Sequence, residues 1–124
     1  MDPLLTLSGT KLAAMIRGRE VTSREVVDAH IRHIEKVNPT LNAVVAHRFD
    51  AARIDAREAD RRVAVAAVTG AGESGLGPLH GVPCSIKETF GLRGMPFTAG
   101  LVARRGVRSE RDAVGGHSTA GRCP

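Results

Sequence analysis

At 124 residues the chain has the length of one domain, and its apolar (42%) and charged (25%) shares are ordinary for a soluble protein. Its net charge of +5 and isoelectric point near 10.2 permit an anionic partner. The arginines are scattered among acidic residues, however, and with no Trp or Tyr to stack on bases the composition argues against a nucleic-acid binder. With three Phe as its only aromatics, any core must rest on Val, Leu, Ile and Ala. The two cysteines, Cys84 and Cys123, show neither metal-ligand spacing nor a disulfide framework, which points to a reduced, cytoplasmic setting. No signal-peptide pattern and no membrane-length apolar run is expected.

In chain order, residues 8–19 predict a short helix with Leu12, Met15 and Ile16 on one face and Gly18 near its end. Thr22-Ser23-Arg24-Glu25 reads as a capping box that starts a second helix. Val27, Ile31, Ile34 and Val37 then recur at helical spacing, and Asn38-Pro39 is expected to end the helix because proline disfavours a helical residue before it. The β-branched run 41–46 predicts a first strand. Residues 48–67 form the longest helical candidate, with Phe49, Ala52, Ala56, Ala59, Val63 and Ala66 as its apolar stripe. The Gly-rich stretch TGAGESGLG lacks the lysine of a phosphate loop and reads as a surface connector. A second strand is expected over 82–87.

Few residues carry a case for chemistry. His30 and His33 stand three apart on the second helix, but no third ligand is placed, so no metal site and no cofactor is expected. His47 has no evident partner, and Cys84 follows Pro83 in an apolar segment where cysteine acts as a small hydrophobe. Lys87 differs. It is one of three lysines among 18 basic residues, and it interrupts the strand-like run VPCSIK. Alternation puts Ser85 and Lys87 on one face, Cys84 and Ile86 on the other. A lysine walled by apolar groups has its charged form disfavoured, which frees a neutral amine to act as a base. The competing reading is a strand-end lysine that pairs with Glu88 or Asp112.

The stretch GPLHGVPCSIKETFGLRGMPFTAG, residues 77–100, resembles the lysine-bearing segment of the amidase signature family. There a Gly-Val-Pro, small or apolar residues and Ile-Lys-Asp/Glu precede a Gly-Met/Thr-Pro-x-Thr-x-Gly turn. Upstream, LAAMIRGREVTSREVVDAHIRHIEKVNPTLNAVV resembles the family's opening helices and first strand. The resemblance covers about residues 4–113, and LRGMPFTAGLVARRGVRSERDA is nearest the fatty-acid amide hydrolase branch. It implies an α/β fold, of which 1–113 supplies the N-terminal helices and first strands of a mixed sheet. It also implies hydrolysis of a small-molecule amide by a Ser–cis-Ser–Lys triad in which Lys87 is the catalytic lysine.

Both triad serines of the family lie in Gly-Ser-rich stretches well beyond the lysine, and only Ser109 and Ser118 follow Lys87 here. Ser109 sits in the charged segment GVRSERD, and Ser118 stands beside His117 with no orienting acid. Beyond Ala113 the family pattern gives way to VGGHSTAGRCP, so 114–124 is expected to be a divergent tail of a truncated or frameshifted product. The chain is thus expected to be inactive alone. The rival readings are a small non-catalytic α/β interaction module that binds through the Phe49–Ala66 stripe, and a weak basic nucleic-acid binder.

Overall fold

Helices form where capping chemistry and apolar spacing coincide; the computed structural model describes residues 1–70 and 75–113. After a 3-10 turn at Pro3–Thr6, Ser8 starts α1 (Gly9–Arg17) by accepting the Lys11 N–H at 3.2 Å. Gly18 closes α1 by donating its N–H to the Ala14 carbonyl at 2.8 Å. α2 (Ser23–Leu41) opens on the predicted capping box. Glu25 N–H donates to Thr22 Oγ1 at 3.1 Å, and Thr22 N–H donates to Glu25 Oε2 at 2.8 Å. Such a cap stabilises a helix by about 1 kcal/mol. α3 (Phe49–Thr69) ends at Gly70, whose left-handed backbone (φ +65°) glycine adopts without a Cβ penalty.

The described chain divides into two compact units, Met1–Pro83 and Cys84–Pro124. In the first, Leu12 and Ile16 of α1 meet Val26 of α2 and Val63 of α3, with Leu4, Leu7, Val21, Leu76 and Val82 packed around them. A second cluster joins Val27 and Ile31 of α2 to Ala56 of α3, with Phe49 and Ala52 against it. Each fully buried Val or Ile contributes about 1.5–3 kcal/mol. The apolar stripe proposed for partner binding is therefore largely turned onto α2 within its own unit.

Polar contacts lock the helices in register. Asp60 of α3 accepts the Ser23 N–H at 2.6 Å and the Arg24 N–H at 3.1 Å, so α3 caps the start of α2. Asp28 accepts from Arg24 Nε at 2.5 Å and from Arg53 Nε of α3 at 2.9 Å. Those two hydrogen bonds, Arg24 first, hold the Asp28 carboxyl below its ordinary range. The segment after α3 is tied down by all three helices. Arg17 Nη1 donates to the Pro78 carbonyl (3.0 Å), His80 Nε2 to that of Ala59 (3.0 Å), and Ser23 Oγ to that of Gly81 (2.6 Å).

The second unit is built from turns. Gly94 N–H donates to Ser109 O, Ser109 N–H to Met95 O and Phe97 N–H to Val107 O, at 2.8–3.0 Å. Ala113 N–H closes back on Gly91 O at 2.8 Å. Arg104, ending a 3-10 turn at Val102–Arg104, lies 4.6 Å over the Phe97 ring.

The expected α/β fold with first strands and a mixed sheet is corrected here: the described residues contain three helices and no strand, only two isolated bridges, Arg93–Ser109 and Pro96–Arg108. The reasons are local. α2 continues through Pro39 to Leu41, and Asn42 ends it in the left-handed region (φ +48°) while donating its N–H to Asn38 O. The Asn38 carboxamide then takes both backbone groups of Val44, accepting its N–H at 2.8 Å and donating to its C=O at 2.9 Å. One side chain thus occupies the hydrogen-bonding groups that a neighbouring strand would need. In the 82–87 run, Val82 N–H turns back to Leu79 O, and Lys87 O accepts from Phe90 N–H. A strand needs partners in a sheet, and neither run has one among the described residues.

Two tests follow from this architecture. Replacing Asp60 with Ala should destabilise the helical unit by about 1–2 kcal/mol, the cost of a lost cap. Hydrogen exchange of the Ser23 and Arg24 amides reads it; unchanged protection would refute the cap. The second concerns acid. A carboxyl lowered by folding stabilises the fold fully above its unfolded value, about 3.9 for Asp, and that stabilisation is lost as pH falls through the lower folded value. Helical ellipticity of wild type should hold to about pH 4 and drop below it. Asp28→Asn should remove its share of that acid limb, and identical limbs in the two proteins would exclude the contribution.

Candidate active site

Lys87 lies in the second unit, at the end of a stretch with no regular element, and its carbonyl begins the turn closed by the Phe90 N–H at 2.8 Å. Its side chain is exposed, as are Cys84 and Ser85, and Ile86 is half-buried. The apolar wall envisaged around the lysine is thus not supplied by the described residues of this chain.

The expected pairing of Lys87 with Glu88 or Asp112 is absent among the described residues. Glu88 Oε1 accepts the Thr98 N–H at 2.5 Å and the Thr98 hydroxyl at 2.8 Å, and Oε2 accepts the Ala99 N–H at 2.7 Å. The Thr98 N–H and hydroxyl hold the Glu88 carboxyl below the usual carboxylate range against the opposing effect of burial, with lesser help from the Ala99 N–H and the charge of Arg104. Asp112 Oδ1 accepts the Arg93 N–H at 2.8 Å. The ion pairs among the described residues leave Lys87 out.

What Glu88 holds is a strained turn. Ala99 has φ +52° and Gly100 φ +73°. A left-handed alanine costs roughly 1–2 kcal/mol, so the turn depends on ties of this kind. Elsewhere in the same unit, Gly91 is buried so tightly that a Cβ there would lie 2.5 Å from Ser109 Oγ and 3.1 Å from Arg111 O. Sequence reading treated Glu88 only as a partner for Lys87 and missed its role in the turn. The available signal was an acid ten residues before a Thr-x-Gly turn, in ETFGLRGMPFTAG.

The remaining candidates are dispersed. Ser109 is half-buried, and its hydroxyl donates to Arg111 O at 2.6 Å. Ser118, His117 and Cys123 lie outside the described residues. His30 Nδ1 meets the Val26 carbonyl at 2.8 Å, and no group of three His, Cys, Asp or Glu side chains gathers among the described residues. In the helical unit a groove of about 390 Å³ is lined by Glu35, His47, Phe49 and Arg53 among others, with His47 stacked on Phe49 at 4.5 Å. No described helix is long and apolar enough to cross a membrane.

The Amidase family profile matches residues 25–115, a span that contains Lys87, Glu88 and the Thr98 turn. Fatty-acid amide hydrolase 2-B of Danio rerio is 48% identical over 115 residues, covering 90% of this chain and 21% of that protein. A glutamyl-tRNA(Gln) amidotransferase component from Acidothermus cellulolyticus is 43% identical over 114 residues, covering 92% of this chain and 21% of that protein. The acylamidase of Rhodococcus erythropolis is 37% identical over 95 residues, covering 77% and 18%. The chain spans about a fifth of the length of these relatives. With the match running through most of its length, and through the lysine segment in particular, the chain belongs to the amidase signature family.

Proposed function

We propose that this chain carries the lysine-bearing part of an amide hydrolase, with Lys87 as the base of a Ser–cis-Ser–Lys triad. The observation that carries the reading is an exposed Lys87 whose neighbouring carboxylate is fully engaged elsewhere. An amine in an ion pair would be held protonated; one left unpaired can lose its proton once it is enclosed among apolar groups and a serine. In the proposed reaction the nucleophilic serine gives its proton through the bridging serine to the Lys87 amine and attacks the carboxamide carbon. The C–N bond breaks as the departing amine takes a proton, leaving an acyl-serine. Water cleaves that ester and releases the acid.

Neither triad serine is assigned within residues 1–113, so the chain alone is inactive in this reading, and the family portion ends near Ala113 with 114–124 as a divergent tail. The substrate is a small-molecule amide. Similarity to fatty-acid amide hydrolase 2-B favours a fatty-acid amide over a tRNA-linked substrate. No metal or organic cofactor takes part, and the free, exposed Cys84 fits action in the reducing cytoplasm.

A chimera tests this. Residues 25–113 would replace the matching segment of the Danio rerio enzyme, and amine release from a fatty-acid amide would be followed. Lys87→Ala should lower kcat/KM by about 10²–10⁴-fold, the usual contribution of a positioned acid–base group, with helical ellipticity unchanged. Serine-directed reagents should inactivate the chimera and chelators should not. Turnover of Lys87→Ala near that of the parent chimera would remove Lys87 from the mechanism.

A further inference from the structure

We propose that Glu88 is a positioning residue: its carboxylate fastens the Thr98–Gly100 turn to the lysine segment and is thereby kept away from the Lys87 amine. The role for Lys87 rests on the function proposed above; the clamp itself does not.

Three donors converge on one carboxylate. Both oxygens are used, Oε1 by the Thr98 N–H and hydroxyl and Oε2 by the Ala99 N–H. Two of the three donors are backbone amides of adjacent residues, and the second, Ala99, has a left-handed backbone (φ +52°). The Thr98 hydroxyl also accepts the Gly100 N–H at 3.2 Å, so the threonine links the carboxylate to the far side of the turn. Charge-assisted bonds of this kind are about twice as strong as neutral ones. Among the described residues, Arg104 is the other charged group acting on Glu88, and its own guanidinium rests on Phe97.

The clamp has two consequences for Lys87. Its neighbour in sequence is fixed at the side chain, which limits the swing of the lysine backbone. The negative charge nearest in sequence is also committed to amides, so it does not form an ion pair with the amine. Glutamine at position 88 would keep the shape but place an NH₂ group against a backbone N–H, since it has a single acceptor oxygen. Aspartate keeps the charge with a shorter reach.

The 124-residue chain suffices for the test, and turnover is not needed. In wild type the Thr98 and Ala99 amide resonances should titrate together, with a midpoint below the ordinary Glu value. Glu88→Gln should abolish that titration and speed exchange of both amides about ten-fold, as expected for loss of a hydrogen bond to a charged group. Competitive acylation supplies the positioning readout, because Lys11 and Lys36 serve as internal references. Lys87 labelling relative to those two should change at least about three-fold in Glu88→Gln, with Glu88→Asp intermediate. Thr98→Val, which deletes the hydroxyl contacts to Glu88 and to the Gly100 N–H but keeps both backbone donors to the carboxylate, should give a smaller effect in the same direction and covers the case in which Glu88→Gln does not fold. Unchanged Thr98 and Ala99 amides would overturn the clamp. An opened turn with unaltered Lys87 labelling would reduce Glu88 to a structural role and overturn the positioning claim. A catalytically silent Lys87 in the chimera would leave the amide and labelling results standing, so the two readings fail separately.

Discussion

The start of α2 is the point on which the helical unit depends. A helix leaves its first N–H groups without internal partners, and here they are answered from two places. Thr22 serves Glu25, while Asp60, thirty-seven residues beyond Ser23, serves Ser23 and Arg24. Negative charge at a helix N-terminus is favourable in itself, and this one also joins α3 to α2. Ser23 extends the tie further. It is 1% exposed, its N–H goes to Asp60 and its hydroxyl goes to the Gly81 carbonyl. Gly81 lies against it with φ +77°, and a Cβ there would stand 3.0 Å from that of Ser23. Only glycine fits both the backbone and the space, so the Gly-Val-Pro segment leaves the helices by a route set at the α2 cap.

Several arginines of this basic chain make similar contacts. Arg24 and Arg53 converge on Asp28, Arg61 pairs with Glu58, and Arg17, Arg62 and Arg108 donate to the carbonyls of Pro78, Gly75 and Gly94. A guanidinium can fork to several acceptors from one rigid plane, which suits it to fasten turns that lack a ladder. These arginines make contacts within the protein itself.

The helices and their caps were legible because their determinants are local: Ser8, Thr22 with Glu25, and the spacing of Leu12, Ile16, Val27, Ile31, Ala56 and Val63. The end of α2 was misread because the proline rule considers one residue, whereas Asn38 sustains the last turn by binding Val44 and accepting the Asn42 N–H. The strands were misread for a related reason. β-branched composition says that a segment suits a sheet, yet pairing is a property of two segments, and the groups of Val44 and Val82 were already bonded. At the candidate site Lys87 was visible as an anomaly of composition. The Glu88–Thr98 contact was not, since it spans ten residues and follows from a turn whose left-handed alanine no propensity announces.

That failure has a physical content. Lys-Glu in sequence invites an ion pair, but successive residues of an extended chain direct their side chains to opposite sides. A neighbour's carboxylate reaches the ammonium only by bending back, and exposed pairs of that sort gain under about 1 kcal/mol. Three donors presented by the Thr98 turn outweigh so small a gain, and the carboxylate goes to them. Adjacency therefore separates the two charges: the acid shapes the turn, and the amine forms no ion pair among the described residues. For the proton-transferring role proposed for Lys87, the absence of a fixed carboxylate partner among the described residues is a favourable condition.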